Sequence, residues 1–405
     1  MKLRIPDALK AGIPPTMWGR VLAATPVVMT VVATLLAALA SSEMTRAQYD
    51  RSLAAQQQSK AGDQWSYFQA KRLRGTGLKA AFDMLQVTTE VDRFDPAALK
   101  SSLAGPAPGL SRCDDRARRL RDALNAAGMT DEAAATSLAG QLHAFVKGVP
   151  GQTAELRRLA ADLTVLLSAA DASSALDALC GGDLPSPGPG PAADAGLKAA
   201  LEGVESGRPE DEIGPALARV SDAMLEDAVR QAQERANTFG TRLEPANDLS
   251  AHLDELLARR LAAAQELRAI SGLVAAIPPE TDPSLHKEGE ALASACLAAH
   301  ADAMKAFRDF TAARLRYVAR RYDAEAVLNQ NVANLYELQV RKNNVSAERH
   351  HTRSQRFFYG MLAAQMGVII ATLAMAARLH NLLWSLAAAA GLAAVSFAVY
   401  VFLSV

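Results

Sequence analysis

The residues best suited to chemistry lie in one short segment, residues 56–71, with the sequence QQQSKAGDQWSYFQAK. Asp63 stands between Lys60 and Lys71, and a carboxylate near ammonium groups can act in acid–base catalysis. Three aromatic side chains in the segment could stack on a ligand: Trp65, Tyr67 and Phe68. The alternative is that these aromatic and amide side chains hold two helices together. The sequence favours this structural role over a ligand site.

A second segment combines histidine and arginine, at residues 348–358 with the sequence ERHHTRSQRFF. Its basic side chains are Arg349, His350, His351, Arg353 and Arg356. The two histidines are adjacent, so on a helix they point about 100° apart and would not easily bind one metal ion. The segment precedes an apolar stretch, where basic side chains attract anionic lipid headgroups. We therefore predict a headgroup-binding collar rather than a metal site.

Motifs of known enzymes and cofactor sites are absent from the sequence. No GxSxG, HExxH, Walker-type or GxGxxG pattern occurs. Cys113, Cys180 and Cys296 have neither CxxC nor Cys/His spacing, which excludes zinc ribbons and a disulfide framework but leaves a single disulfide open. The 43 basic residues equal the 43 acidic ones, which argues against a nucleic-acid-binding protein. We expect no enzymatic activity, cofactor or nucleic-acid partner.

Three apolar stretches without a charged residue are long enough to cross a bilayer as helices, which takes about 20 residues. They are residues 21–40, 357–377 and 382–403. The alternative for the first stretch is a cleaved signal peptide, because Ala38-Leu39-Ala40 has the small-x-small form of a cleavage site. We expect three transmembrane helices, of which the last two form a hairpin.

Small residues recur in the third stretch at Ala387, Gly391 and Ala394, and such residues let helices approach closely in a membrane. We expect them to make contacts in a homo-oligomer or with a membrane-protein partner. No Asp, Glu, Lys, Arg or His lies inside the three stretches, although ion-coupled transporters usually need such a group. A proton- or ion-coupled transporter is therefore disfavoured.

Basic residues on one side of the spans decide the expected orientation. They are Lys2, Arg4, Lys10, Arg20 and Arg378. All five lie in a short tail or a short loop, which the positive-inside rule keeps in the cytoplasm, whereas long domains largely escape that rule. We expect residues 41–356 to lie outside the cytoplasm, in a periplasmic-type space.

The region between the spans shows a helical apolar period almost everywhere and no alternating strand pattern. Residues 290–359 contain neither Gly nor Pro, which predicts one helix on the order of 100 Å long that continues into the second span. We predict weak points or ends in other helices at Gly75, Gly77 and Pro150.

The fold class predicted from these patterns is all-α. It is a membrane protein with three transmembrane helices and a large extramembrane helical domain that contains a long antiparallel helical stalk. The segments are a basic tail (1–20), the first span (21–40), the first stalk arm (41–92), a helical insert (93–282) with a Gly/Pro linker (181–191), the second stalk arm (283–356), and the second and third spans (357–377 and 382–403).

The two stalk arms can be aligned by geometry. If they leave the membrane at Ala40 and Phe357, antiparallel packing pairs residues whose numbers add to about 397. Trp65 would then lie opposite Val332, while Lys60 would face Glu337 and Arg72 would face Glu325. The full predicted contact set is Lys60, Trp65, Tyr67, Phe68, Arg72, Glu325, Val332, Leu335 and Glu337.

The block at residues 56–71, the basic His/Arg stretch and the terminal hairpin together resemble an uncharacterised bacterial membrane-protein family, a domain of unknown function. Its members carry a similar Gln-Ser-Lys-Ala-x-Asp-Gln-Trp-x-Tyr-x-Gln-Ala-Lys block after a first span. The resemblance covers roughly residues 41–72 and 320–405 and leaves 91–283 as an enlarged insert. It implies a bacterial inner-membrane location and no known reaction.

The functional hypothesis is a membrane-anchored structural or scaffolding protein that assembles through its stalk and transmembrane helices and contacts membrane lipid. A channel or transport subunit is the first alternative. An accessory subunit of a larger membrane complex is the second.

Overall fold

The computed structural model describes residues 17–104, 108–129, 137–169, 172–181, 184–186, 194–277, 283–376 and 380–404. Within these ranges the regular structure is α-helical, without a strand, which confirms the predicted all-α class. The helices are α1 (Met17–Thr88), α2 (Pro96–Ala104), α3 (Pro108–Ala126), α4 (Leu138–Ser168), α5 (Ala172–Gly181), α6 (Ala195–Glu205), α7 (Glu210–Leu217), α8 (Asp222–Arg268), α9 (Ile270–Ala275), α10 (Pro283–Ala376) and α11 (His380–Ser404).

Three of the described helices are long and apolar enough to cross a membrane. They are α1, α10 and α11, within Ala24–Thr88, Pro283–Ala374 and Leu382–Tyr400. Helices α4 and α5 pass the same test only when taken together, and both bury leucines inside the protein. The tail residues Lys2, Arg4 and Lys10, the loop residue Arg378 and most of the linker 181–191 lie outside the described residues.

The chain folds into two compact units. Unit 1 comprises Met1–Gln64, Pro191–Arg230 and Asn331–Val405, and unit 2 comprises Trp65–Gly190 and Gln231–Gln330. Helices α1, α8 and α10 contribute to both units. The segment predicted as an insert, 93–282, therefore divides: α6, α7 and the start of α8 belong to unit 1, and its other helices belong to unit 2.

In unit 1 the apolar parts of α1, α10 and α11 pack through small residues. Ala387 and Ala394 are fully buried, and a Cβ atom on Gly391 would lie 2.8 Å from Sδ of Met29 in α1. A Cβ atom on Gly367 of α10 would lie 2.6 Å from Cε of the same methionine. The structure therefore uses the predicted packing residues inside the chain, and this face no longer argues for an oligomer.

The described part of unit 2 contains two hydrophobic cores. The first lies between α3, α4, α9, the end of α8 and the beginning of α10, and it includes Leu120 and Leu142. The second joins α2, α5 and other parts of α4, α8 and α10 around the buried rings of Phe239, Phe310 and Tyr317. Both cores draw on α10, so this part of the long helix is held by packing on residues distant in sequence.

Pro150 lies inside α4, so the helix end predicted there is wrong. Proline has no N–H to donate to the carbonyl of Val146, four residues earlier. The guanidinium of Arg121 donates to that carbonyl instead, at 3.5 Å. A side chain from another helix thus compensates for the missing backbone hydrogen bond, which local sequence rules do not reveal.

Gly75 and Gly77 lie inside α1, which continues without a break to Thr88. Neither glycine interrupts the helix, although a weak point was predicted at both. Gly75 is buried, and a Cβ atom there would lie 3.1 Å from Oδ1 of Asp323 and 3.5 Å from the Ala319 carbonyl oxygen. The missing side chain lets α1 and α10 approach closely within unit 2. Gly77 has open space around it.

The Gly391→Ile substitution should destabilise unit 1 by about 1–3 kcal/mol, because its side chain would overlap Met29 in an already packed interface. Adding Met29→Ala should recover most of the loss. Thermal unfolding of the purified protein in mild detergent measures both effects.

The matched control is Gly77→Ala, which meets no atom within 4 Å and should stabilise the helix by about 0.5–1 kcal/mol. An unchanged melting temperature for Gly391→Ile would contradict the packing described here.

Candidate functional site

Helices α1 and α10 pair in antiparallel fashion through polar contacts in unit 1. The Ser354 hydroxyl donates to the Ala40 carbonyl oxygen at 2.7 Å, and Nδ1 of His350 lies 2.5 Å from Oε2 of Glu43. Further along, the ammonium of Lys60 lies 5.7 Å from the centre of the Tyr336 ring. The residue numbers in these pairs add to 394, 393 and 396, which lie within four residues, about one helical turn, of the expected 397.

The same two helices pair in unit 2. Lys71 forms an ion pair with Glu325, and Lys79 forms one with Asp323 at 2.5 Å. The residue numbers of these pairs add to 396 and 402. Together with the close approach at Gly75, these contacts fix the pairing of α1 with α10 inside this unit.

Several residues of the predicted contact set have different partners. Lys60 lies over Tyr336 rather than beside Glu337, which pairs with Arg341 of its own helix at 2.7 Å. The guanidinium of Arg72 lies 5.7 Å from the Phe68 ring centre, and the neighbouring Lys71 takes its predicted place at Glu325. One residue turns a helix by about 100°, so a prediction with the right height but a rotational error of about 100° selects the wrong cation.

The aromatic residues of the block do not form one surface. Trp65 packs edge-on against Phe68 with ring centres 5.4 Å apart, whereas Tyr67 is exposed. Val332 and Leu335 are both buried in unit 1. The contact of Trp65 with Val332 stays a prediction.

Glu325 is the centre of a polar network in unit 2. Its carboxylate accepts hydrogen bonds from Lys71 and from Nε of Arg321 at 3.0 Å. Arg321 also donates to the amide oxygen of Asn247 at 2.7 Å, and the Tyr317 hydroxyl donates to that oxygen at 3.2 Å. Burial raises the pKa of Tyr317 to about 12, so this hydroxyl stays a donor at neutral pH. The network ties α1, α8 and α10 together and leaves Glu325 without a free oxygen for acid–base work.

The basic stretch is only partly exposed. His350 contacts Glu43, and both side chains are largely buried. His350 therefore faces α1, and the prediction that it faces lipid headgroups is wrong. Gln355 lies 3.0 Å from Nε2 of His351, and the guanidinium of Arg356 lies 5.3 Å from the Tyr400 ring centre. Of the five predicted headgroup ligands, Arg349 is the most exposed, while His351, Arg353 and Arg356 are half-buried. His350 and Arg356 have partners on other helices, so the five side chains do not form one lipid-facing collar.

Two cysteines that are distant in sequence meet in the first core of unit 2. The sulfur atoms of Cys113 and Cys296 lie 3.7 Å apart, and both residues are fully buried. The hydrogen bond that Cys296 donates lowers the pKa of Cys113, and donating it raises the pKa of Cys296. Burial raises the pKa of Cys180 to about 11. All three are free thiols in the structure, and no group of three or more metal-ligating side chains occurs among the described residues.

Sequence reasoning did not identify a polar cavity of about 320 Å³ in unit 1. Residues from α1, α8 and α10 line it, including Asp50, Gln57, Glu226, Gln339 and Lys342. The side-chain oxygens of both glutamines are buried and have no hydrogen-bond partner among the described residues. The only sequence signal for this cavity is the presence of polar residues on segments with a helical apolar period. This pattern is too common to indicate a cavity.

Comparison with known proteins gives one family match. Residues 18–145 match a family described as a domain of unknown function (DUF4337). The match contains the block at residues 56–71 and extends into the segment predicted as an enlarged insert, but it does not include the C-terminal hairpin. No curated protein and no solved structure matches the chain. The match supports the predicted similarity to an uncharacterised family and assigns no activity.

The Glu325→Gln substitution should lower the free energy of unfolding by about 1–3 kcal/mol, because it leaves Lys71 and Arg321 in a poorly solvated place without a counter-charge. Glu348→Gln is the matched control. Its carboxylate lies 3.9 Å from Arg51 in an exposed pair, which should contribute less than about 0.5 kcal/mol. Chemical denaturation of the two variants measures the difference, and equal effects would show that the network does not stabilise the helix pairing.

Proposed function

We propose that this chain is a membrane-anchored structural protein, which spans the bilayer three times and assembles through its stalk with a second copy or a membrane-protein partner. The proposal rests on two helices that continue without interruption from an apolar span into a polar region. At 1.5 Å per residue, the 72 residues of α1 and the 94 residues of α10 give lengths on the order of 110 and 140 Å. Such helices suit a spacer or scaffold better than a catalytic domain.

The observation that carries the assembly proposal is an exposed apolar face on α1 in unit 2. Leu73, Met84 and Val87 are 74%, 69% and 88% exposed, outside the apolar span. A period of 3.6 residues places the three side chains within about 60° of one another around the helix. Exposed apolar faces of this kind mark protein contacts.

A channel or transport subunit is the second candidate, and one observation favours it. A cavity of about 470 Å³ between the apolar parts of α1 and α10 contains Thr30, Thr34 and Gln365. The two threonine hydroxyls, however, donate to backbone carbonyls of their own helix at 2.7 and 2.9 Å. The spans also contain no charged residue, so a water-filled passage has little polar lining within one chain.

Leu73→Glu and Val87→Glu, made separately, should each weaken the complex, because a carboxylate would be forced into an apolar contact. We expect a shift to a smaller species in native gel electrophoresis of detergent-extracted membranes. Gln86→Glu is the control, since Gln86 is exposed and lies about 100° or more from all three apolar residues.

An unchanged complex in both variants, or the same dissociation in the control, would contradict assembly through this face. A homo-oligomer favours a scaffold or pore, whereas a fixed stoichiometry with other membrane proteins favours an accessory subunit.

We further propose a bacterial inner-membrane location with residues 41–356 on the periplasmic side and Arg349 near anionic lipid headgroups. The support is the basic N-terminal tail and the basic hairpin loop. Ser186 is exposed and tests this orientation. In a variant without native cysteines, Ser186→Cys should react with a membrane-impermeant maleimide in intact cells, and Pro6→Cys should not. The reverse pattern would overturn the orientation.

A further inference from the structure

We propose that Cys113 and Cys296 form a modification site, at which a thiol–disulfide oxidant of the periplasm converts the two thiols into a disulfide bond. The site lies in the first core of unit 2, between α3 and the beginning of α10. The proposal rests on the periplasmic placement proposed above, because thiols stay reduced in a bacterial cytoplasm and are oxidised in the periplasm.

The two sulfur atoms are already in contact in the structure. They lie 3.7 Å apart, although the two residues are 183 positions apart in the chain. Sulfur atoms in a disulfide bond are about 2.0 Å apart, and rotations of the two side chains can supply the remaining approach of less than about 2 Å. The structure thus brings together two thiols that sequence spacing does not connect.

A second contact joins the same two helices independently of the thiols. The guanidinium of Arg116 in α3 donates to the carboxylate of Glu288 in α10 at 2.9 Å. From the cysteine contact to this ion pair the residue numbers rise along α3 and fall along α10, so the helices are antiparallel here. The meeting of the cysteines therefore follows from the packing of two helices in a core and not from an exposed loop.

Two other roles for the pair are less well supported. A metal site would need further ligands, and the described residues contain no group of three or more His, Cys, Asp or Glu side chains that could hold an ion. The thiols could also serve only as small apolar side chains, as buried free cysteines often do. Thiols that a fold holds in contact are readily oxidised in an oxidising compartment, because each is always within reach of the other.

Cys180 provides a contrast within the same unit. It packs against the second core and is half-buried there. Burial raises the pKa of Cys180 to about 11, so its reactive thiolate form is scarce at neutral pH. We therefore expect Cys180 to remain a free thiol, which makes it an internal control.

The oxidation follows ordinary thiol–disulfide exchange. Both sulfurs are fully buried in the finished core, so the oxidant must react before that core closes. The Cys113 thiolate attacks one sulfur of the oxidant's disulfide, and the oxidant's other sulfur leaves as a thiolate. When α3 and α10 pair, the Cys296 thiolate attacks the Cys113 sulfur and releases the oxidant's first sulfur. The two cysteines lose two electrons and two protons, and the oxidant becomes a dithiol.

The bond would connect α3 to the beginning of the long helix α10. A crosslink between residues so distant in sequence strongly restricts the unfolded chain in the chain-entropy account of disulfide stabilisation. It would therefore hold the beginning of α10 on the first core of unit 2.

The test counts reducible thiols in the full chain from native bacterial membranes. Free thiols are blocked with N-ethylmaleimide in denaturant, and the protein is then reduced and labelled with a polyethylene-glycol maleimide, which adds one mass step per thiol. Wild type and Cys180→Ala should each gain two labels, whereas Cys113→Ala and Cys296→Ala should gain none. Mass spectrometry of unreduced wild type should find the peptides of Cys113 and Cys296 joined, a result that does not depend on how a variant folds.

The same count in cells whose cytoplasmic thioredoxin and glutathione reductases are inactivated separates the pairing from the orientation. Two labels in both kinds of cell support the proposal, and no label in ordinary cells overturns it. If the labels then appear only in the cells with an oxidising cytoplasm, the proposed orientation is wrong and the pairing is right. If they appear in neither, the pairing itself is wrong, as it is if either cysteine is found joined to Cys180.

Discussion

The alignment of α1 against α10 is the constraint on which the rest of the structure depends. Within each unit the pairing is set by a few polar contacts, of which Ser354 with Ala40 and Lys71 with Glu325 are representative. A polar side chain buried between helices tolerates little sliding, because a shift of one turn leaves it without a partner. Apolar contacts alone are less selective, since the small residues of these helices repeat along their length.

The main features of this pairing could be predicted from the sequence, because the ends of two apolar stretches fix the heights of the residues beyond them. The missed details have physical causes. The choice of Lys71 over Arg72 depends on helix rotation, which height does not determine. The continuity of α4 through Pro150 depends on Arg121, a residue from another helix. Two further contacts join residues that are distant in the sequence, namely Gly391 with Met29 and Cys113 with Cys296. Such long-range contacts cannot be predicted from the local pattern of one sequence.

The polar groups of the chain serve mainly to hold helices together. Both carboxylate oxygens of Glu325 accept hydrogen bonds, and His350 is paired with Glu43. Gln57 and Gln339 in unit 1 are different, because their buried side-chain oxygens have no hydrogen-bond partner among the described residues.

The most direct test of the account is thiol crosslinking between α1 and α10 in native membranes, in a variant without the native cysteines. The pair Glu43→Cys with His350→Cys should crosslink within one chain through a short bifunctional thiol reagent, because these side chains meet in the structure. The pair Glu43→Cys with Asn343→Cys shares a similar helix face but is displaced by seven residues, about 10 Å, and should crosslink poorly. Efficient crosslinking of the displaced pair, with little in the first pair, would contradict the alignment.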